Sequence, residues 1–403
     1  MARLRFDYSA NPWWKWRYTW WLAPELAAFY PAMTELRPPA TAAAMARWLH
    51  RWRLLPPDVD VEAAAGEIAR SAVPILDIPS AAPPSEHGAP LRLPAEWEPV
   101  ERVLVAWPYL FPGLWPFHRN LVRAIAATTP VTVIVPTPLF AAAVALQLPG
   151  QPVDYAVARL DDIWIRDYGP LVGVDDAGRR VAVDTRYRPP PAIFTGYDDS
   201  FPGRWAGANK LGWRHLPLRL DGGNLWSDGR GTILTTSLLF RRNRFRGRAR
   251  VHELLSESFA VRNIIELPPL AGEFTGHVDL IAKPADGETV LATEPGRGVN
   301  RARRQRIIEI LRRAGYRVVE LPYLPAYLNW QVPVWRSYTN ALTSNGTVFL
   351  PLFDVAEADR AAVRAYQRAM PDHDIVGVPA RVPAGSGGTI HCLTLQIPAP
   401  SAR

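Results

Sequence analysis

Four short segments of this sequence carry polar side chains beside glycine or tryptophan, within otherwise apolar surroundings. They contain one thiol, imidazole rings and several carboxyl groups, which together can supply nucleophilic and acid–base catalysis. The segments are residues 161–170, 221–224, 276–279 and 387–392.

Cys392 is the single cysteine of the chain. This excludes an intrachain disulfide framework and a multi-cysteine zinc or iron–sulfur site. The residue follows Gly387 and Gly388, whose missing side chains let a ligand or backbone come close. A thiolate is a nucleophile when a base or a cation stabilises it, whereas a lone cysteine more often fills space in a core. Both interpretations stay open on this residue alone.

His277 and Asp279 are spaced so that they would share one face of an extended segment. The imidazole suits acid–base catalysis near neutral pH, and the carboxylate could hold a cation or orient the ring. A hydrogen-bonded His–Asp pair on a surface strand is an equal alternative. Asp167 is predicted to end a strand before the Gly169-Pro170 turn. It belongs either to the same site or to a structural salt bridge with Arg166.

Considered together, a thiol, an imidazole and at least two carboxylates suit a planar cation with an electrophilic carbon, and guanidinium is such a group. Carboxylates can bind its N–H edges in forked pairs, the thiolate can attack the carbon, and the histidine can protonate departing ammonia and then activate water. The chain has a formal net charge of +8, which opposes binding of a cation. Buried carboxylates must therefore outweigh the screened surface charge.

The ordered set of motifs resembles the bacterial agmatine deiminase / peptidyl-arginine deiminase family, within the guanidine-modifying superfamily. The resemblance spans roughly residues 91–398. Each motif alone is weak, but their order and spacing are specific. The motifs are residues 93–99, 105–108, 162–170, 221–224, 276–279, 337–342 and 387–392.

The resemblance implies an α/β fold, namely a five-bladed α/β propeller (pentein) of pseudo-fivefold ββαβ units. It implies hydrolysis of a guanidino group to a ureido group plus ammonia, without a metal or organic cofactor. It assigns Cys392 as the nucleophile that forms an amidino-cysteine, and His277 as general acid and then base. The guanidinium-binding carboxylates would be Asp167 and Asp279. Further substrate contacts are expected from Asp221, Trp107, Arg188 and Asn340.

Several departures leave the substrate open between peptidyl-arginine and agmatine. Agmatine deiminases usually have Glu where this chain has Asp221, and Asn where it has Leu280. In the bacterial peptidyl enzyme two arginines bind the substrate's C-terminal carboxylate. Arg188 matches the first, but the second falls near Pro190, so recognition of a C-terminal arginine is in question. An amidinotransferase with the same intermediate and a non-catalytic guanidinium-binding protein are the alternatives.

Short apolar runs that end at turn residues predict strands, and amphipathic stretches between them predict helices. This alternation indicates an α/β domain. The strand runs are residues 103–108, 131–136, 232–236, 289–293 and 347–351, and the helical stretches are 41–55, 121–128, 251–259, 301–314 and 358–370.

Residues 1–90 are predicted to form a Trp/Pro-rich extension with a linker, before a catalytic domain at 91–403. The extension holds seven of the sixteen tryptophans. We expect these to pack on the domain, with a membrane interface as the alternative. Without a secretory signal or an apolar run of about 18 residues, a cytoplasmic protein with no membrane span is expected.

The densest group of basic residues is the arginine cluster between residues 241 and 250. It could track phosphates, but no nucleic-acid-binding motif surrounds it. We therefore expect a solvated loop that enters a helix, with no nucleic-acid partner. The expected partner is a small-molecule or peptide guanidine substrate, and a homo-oligomer is left open.

Overall fold

The computed structural model describes residues 39–400 of the 403-residue chain, except residues 84, 110, 189–195, 274, 330–331 and 386. The strands are β1 (Ile75–Asp77), β2 (Val100–Ala106), β3 (Val131–Val135), β4 (Val153–Val157), β5 (Leu171–Val174), β6 (Arg180–Thr185), β7 (Gly212–Leu216), β8 (Trp226–Ser227), β9 (Thr232–Thr236), β10 (Asn263–Leu267), β11 (Ala282–Pro284), β12 (Thr289–Thr293), β13 (Arg317–Leu321), β14 (Tyr327–Asn329), β15 (Val332–Val334), β16 (Leu342–Ser344), β17 (Thr347–Leu352), β18 (Asp374–Pro379) and β19 (Thr394–Pro398). The helices are α1 (Ala42–Arg51), α2 (Val61–Arg70), α3 (Trp115–Ala126), α4 (Pro138–Gln147), α5 (Ile165–Tyr168), α6 (Gly196–Asp199), α7 (Phe201–Ala208), α8 (Leu238–Arg242), α9 (Arg248–Phe259), α10 (Arg301–Arg313), α11 (Ala356–Ala369) and α12 (Arg381–Ala384). Single 3-10 turns cover Pro112–Leu114, Gly222–Asn224, Arg244–Arg246 and Val278–Leu280.

One connection pattern recurs through the chain: two antiparallel strands, then a helix that crosses over to a third strand parallel to the second. Four units follow it in order, namely β5-β6-α7-β7, β8-β9-α9-β10, β11-β12-α10-β13 and β16-β17-α11-β18. The fifth joins distant parts of the chain, because β19 pairs antiparallel with β2, which α3 connects to the parallel strand β3. The expected α/β class and the ββαβ units are confirmed.

Some strands of these units are buried along their whole length without alternation, because both of their faces are covered. All five residues of β3 are buried, as is usual for parallel strands between layers. The predicted runs 232–236 and 289–293 coincide with β9 and β12. Helix starts are less well predicted: α9 begins at Arg248, before the apolar periodicity is visible.

The described part of the predicted extension packs on the fifth unit. Strand β1 pairs parallel with β4 and extends the sheet that contains β2 and β3. Thr41 and Asp60 cap α1 and α2 by accepting hydrogen bonds from backbone N–H groups, and Trp48 packs on Trp115 at a ring distance of 5.4 Å. The division at residue 90 stays a prediction, and Trp13 to Trp21 lie outside the described residues. Among the helices in the described ranges, none is long and apolar enough to cross a membrane.

A buried ion pair joins two of the units below the polar loops. Lys283 on β11 is fully buried, and its Nζ donates to Glu96 Oε2 at 2.5 Å. The other carboxylate oxygen of Glu96 accepts from the backbone N–H of Thr343 on β16 at 2.8 Å. Lys283 also lies over the Trp226 ring at 4.8 Å. Glu96 therefore ties β11 to β16.

Replacing Lys283 with methionine is expected to lower the free energy of unfolding by about 3–5 kcal/mol, because the Glu96 carboxylate is left buried without its counter-charge. Urea unfolding followed by intrinsic fluorescence measures the change. Arg312→Gln is the matched control, since the Arg312–Glu320 pair is 54% and 38% exposed and should contribute less than about 1 kcal/mol. A Lys283→Met protein as stable as this control would contradict the prediction.

Candidate active site

The polar segments lie together because each precedes the first strand of a ββαβ unit. Asp167 precedes β5, Asp221 precedes β8, and both His277 and Asp279 precede β11. The remaining two members of the set, Asn340 and Cys392, precede β16 and β19. The hydrogen bonds described below link these five loops, so the five units contribute to one buried cluster.

Cys392 is 3% exposed and contacts two polar side chains. Asn340 Nδ2 donates to its Sγ at 3.1 Å, and Asp279 Oδ2 lies 3.5 Å from the sulfur. A Cβ on Gly388 would lie 2.9 Å from Sγ and 2.8 Å from the Trp164 ring, so only glycine lets this loop pass between the two. Burial, followed by the charges of Asp279 and Asp167, raises the pKa of the Cys392 thiol well above its ordinary value.

Asp279 is held through one of its two oxygens. Oδ2 lies 2.8 Å from His391 Nδ1 and accepts from Asn340 Nδ2 at 3.0 Å. Oδ1 is buried and has no hydrogen-bond partner among the described residues. Burial raises the pKa of Asp279 to about 7, although the positive charge of His277 acts in the opposite direction. Asp279 therefore keeps one buried acceptor oxygen without a partner among the described residues, while its other oxygen lies near the thiol.

His277 lies between two further carboxylates. Its Nε2 is 2.9 Å from Asp221 Oδ2, and its Nδ1 is 3.5 Å from Asp167 Oδ1. Asp221 Oδ2 also pairs with Arg242. Burial alone would lower the pKa of His277, but the charges of Asp167 and Asp221 and the hydrogen bond to Asp221 raise it to about 9. The ring is therefore an imidazolium at neutral pH.

Gly223 lies where these groups meet. Its N–H donates to Asp167 Oδ1 at 3.2 Å. A Cβ at this position would lie 2.6 Å from Asp167 Oδ1, 2.8 Å from His277 Nδ1 and 3.1 Å from Asp279 Oδ2. The two carboxylates and the imidazole thus converge on the space that a larger side chain would fill.

The local backbone around two of these residues differs from the prediction. Asp167 lies in the short helix α5 and not at a strand end. Arg166 does not pair with it, because its Nε donates to the carbonyl of His391 at 3.3 Å. Asp279 lies in a 3-10 turn, with His277 in extended conformation just before it. The two side chains still meet in one site, through a turn and not through strand alternation.

Two predicted substrate contacts are joined to the predicted catalytic residues: Asn340 bonds Cys392 and Asp279, and Asp221 bonds His277. The other two are not joined to them by the contacts described. Trp107 is 1% exposed and packs on Trp115 at a ring distance of 5.2 Å. Arg188 is exposed beyond β6, and Pro190 lies outside the described residues. The substrate roles of all four stay predictions.

Three residues of the cluster had no predicted role. His391 stacks obliquely on Trp226 at 4.5 Å and bonds Asp279, and its position next to Cys392 was the available signal. Trp164 lies against the thiol loop, within a motif already singled out. Arg242 pairs with Asp221, and nothing in the sequence distinguishes it from the neighbouring arginines of its cluster.

The site combines a buried thiol, an imidazolium and three aspartates in a ring of five loops. The carboxylates around the space beside Gly223 favour a positively charged ligand, although His277 and Arg242 already offset part of their charge. The fold and the site therefore define a class of α/β proteins that can hold a planar, positively charged group beside a buried thiol.

Comparison with known proteins agrees with this class. Residues 92–398 match the model of the Porphyromonas-type peptidyl-arginine deiminase family. An agmatine deiminase of Pseudomonas putida is 30% identical over 364 residues, which cover 77% of this chain and 96% of the relative. The chain belongs to the Porphyromonas-type peptidyl-arginine deiminase family.

Solved structures share the fold. A crystal structure of a protein from Porphyromonas gingivalis matches with a TM-score of 0.70 at 26% identity, covering 77% of this chain and 99% of that one. The agmatine deiminase of Enterococcus faecalis has a TM-score of 0.71 at 24% identity, with 79% and 100% covered. Together with the five ββαβ units, these matches confirm the expected pentein fold.

Proposed function

We propose that this protein is a hydrolase of linear amidines, which converts the guanidino group of an arginine derivative to a ureido group and releases ammonia. Its substrate is peptidyl-arginine, which gives peptidyl-citrulline, or agmatine, which gives N-carbamoylputrescine. The observation that carries the proposal is the convergence of Asp167, His277 and Asp279 on one space beside Cys392. This arrangement binds a guanidinium edge and places its carbon near a nucleophile.

Binding of the substrate guanidinium promotes ionisation of the Cys392 thiol, which makes it a nucleophile. In the free site the thiol of Cys392 is neutral, because burial and two nearby carboxylates oppose a further negative charge. A bound guanidinium brings a positive charge next to the sulfur, which lowers the proton affinity of the thiol, and the proton leaves to solvent. Asp279 Oδ1 and Asp167 accept hydrogen bonds from the guanidinium and keep its carbon facing the sulfur.

The bond changes then follow in two stages. Cys392 Sγ forms a bond to the guanidinium carbon, His277 donates its Nδ1 proton to the leaving nitrogen, and the C–N bond breaks to release ammonia. The product of this stage is an amidino-cysteine. His277, now neutral, takes one proton from water, and the water oxygen attacks the same carbon. The C–S bond then breaks while the second proton of that oxygen passes to the sulfur, which gives the neutral ureido product and restores the thiol.

The reaction and its substrate are tested with the purified full chain. Agmatine, free arginine, and peptides with an internal or a C-terminal arginine are each assayed for ureido product and ammonia. We expect product from one substrate class in equal amounts with ammonia. No ureido product from any of them would overturn the proposal, and transfer of the amidino group to an added amine would replace it with amidino transfer.

The pH dependence of kcat/KM follows from the two pKa values that decide binding and proton donation. Asp279 must be ionised to bind the cation, so kcat/KM should rise as the pH increases through about 7. His277 must be protonated to serve as the acid, and the thiol of the free enzyme must lose its proton to solvent. Above about pH 9 the loss of the His277 proton offsets the gain from thiol ionisation, so kcat/KM should stop rising there. Initial rates between about pH 5 and pH 10 measure this profile. A profile that is flat across this range would contradict it.

The cellular location is proposed from the chemistry of the thiol. We place the enzyme in the cytoplasm, where a thiol nucleophile stays reduced. The absence of a nucleic-acid partner remains a prediction, which salt-dependent binding assays can test. The oligomeric state remains open, and light scattering measures it.

A further inference from the structure

Arg242 is the last residue of α8, and its side chain reaches the centre of the site. The side chain of Arg242 is 14% exposed, and its guanidinium pairs with Asp221, whose side chain is 2% exposed. The neighbouring arginines behave differently. Arg241 and Arg244 are exposed, and Arg250 pairs with two surface glutamates. Arg242 is therefore the member of the arginine cluster that points into the protein.

Arg242 and His277 share one oxygen of Asp221. Asp221 Oδ2 pairs with Arg242 and lies 2.9 Å from His277 Nε2. Asp221 Oδ1 is buried and has no hydrogen-bond partner among the described residues. Arg242 thus holds the carboxylate in the one orientation in which Oδ2 meets Nε2. That hydrogen bond in turn directs the opposite nitrogen, Nδ1, toward the space beside Gly223.

The groups that face Asp221 include opposing charges and a phenol. His277 and Arg242 are in contact with it, while the Asp167 carboxylate and the Tyr187 phenol act on it from further away. Burial by itself would raise the pKa of Asp221. The hydrogen bond from His277 and the charge of Arg242 outweigh burial and lower the pKa below its usual value. Without Arg242, one of the two cationic partners of this carboxylate is lost.

We propose that Arg242 is a positioning residue of the deimination reaction, which fixes the Asp221 carboxylate against His277 so that the imidazolium presents Nδ1 to the leaving nitrogen. The inference rests on the proposed function. Arg242 then forms the outer end of a chain of three residues, in which it contacts Asp221 and Asp221 contacts His277. The short side chain of Asp221 makes this support necessary, because a single methylene limits where its oxygens can reach.

The test compares Arg242→Gln and Arg242→Lys with the control Arg241→Gln, which removes an exposed neighbour on the same helix. We expect Arg242→Gln to lower kcat by about 10- to 100-fold with KM changed less than about threefold, because proton donation and not ground-state binding is affected. Arg242→Lys should recover most of kcat.

A double-mutant cycle separates positioning from a general structural effect. In an Asp221→Asn background, Arg242→Gln should change kcat less than about threefold, because the shared carboxylate is already gone.

Thermal unfolding of every variant detects a loss of fold, and the lysine variant keeps the test decisive if the glutamine variant does not fold. The inference is overturned if Arg242→Gln matches Arg241→Gln in kcat. It is also overturned if the lysine variant is as impaired as the glutamine variant. Failure of the proposed function is distinct, since the wild-type chain would then form no ureido product.

Discussion

The Cys392→Ala protein should form no ureido product while it keeps its fold. Without Sγ, neither the amidino-cysteine nor the departure of ammonia has a route, so we expect a fall in kcat of at least about 10⁴-fold. The hydrogen bonds of Asp279 with Asn340 and His391 do not involve the sulfur, so the loops should stay in place. Quantification of ureido product under saturating substrate, together with a thermal unfolding curve, measures both expectations.

Cys392→Ser is the matched comparison for this change, because it keeps the volume of the site nearly constant. It should be almost as inactive, since a hydroxyl is far harder to ionise than a thiol. Rapid quenching of the wild-type reaction, followed by intact-protein mass measurement, should show the covalent amidino adduct on the wild type alone. Turnover by the alanine protein within tenfold of wild type would remove Cys392 from the mechanism.

The Gly223→Ala protein should lose about 10²- to 10³-fold in kcat/KM, because misplacing reacting groups by an ångström is costly. Its new methyl group would lie 2.6 Å from Asp167 Oδ1 and 2.8 Å from His277 Nδ1, so both side chains must move away from the guanidinium. The φ angle of Gly223 is not in the left-handed region, and alanine adopts it without strain. Steady-state kinetics with the preferred substrate measure the loss.

Gly66→Ala, in α2 of the N-terminal segment, is the control for a glycine-to-alanine change outside the site. The atoms nearest to its new methyl group belong to the guanidinium end of the Arg70 side chain, and alanine favours helix over glycine. This variant should have wild-type kcat/KM and equal or slightly higher stability. A Gly223→Ala enzyme within threefold of this control would show that the space beside Gly223 is not used by the substrate.

Many of the strands could be predicted, because a strand that is buried on both faces consists of an unbroken run of apolar and β-branched residues. Strands such as β9 and β12 are uninterrupted runs of apolar and β-branched residues, and their bounds were predicted to the residue. The set of polar residues was also predictable, because Gly388 and Gly223 mark places where groups approach closely. The resemblance to a known family, through the order and spacing of the motifs, then indicated that these residues form one site.

The contacts between the polar residues could not be predicted in the same way. The helical turn at Asp167 is held by tertiary contacts, including the backbone N–H of Arg166, which donates to the carbonyl of Cys392 at 3.3 Å. Arg242 differs from Arg241 only in where α8 directs it. A local pattern reports burial and turns, but a hydrogen bond between loops of different units depends on how the whole chain closes.

The closure of the fifth unit has a consequence for folding. Cys392 lies just before β19, and β19 is held by β2, a strand from far earlier in the chain. Contacts between segments so distant in sequence form slowly, since a large loop must be closed first. A chain that has folded its other four units would carry the sulfur on an unattached segment, away from Asn340 and Asp279. Recovery of activity during refolding therefore follows the pairing of β19 with β2. A molecule in which this pairing has not formed has a thiol without its neighbours in the site, and it is inactive.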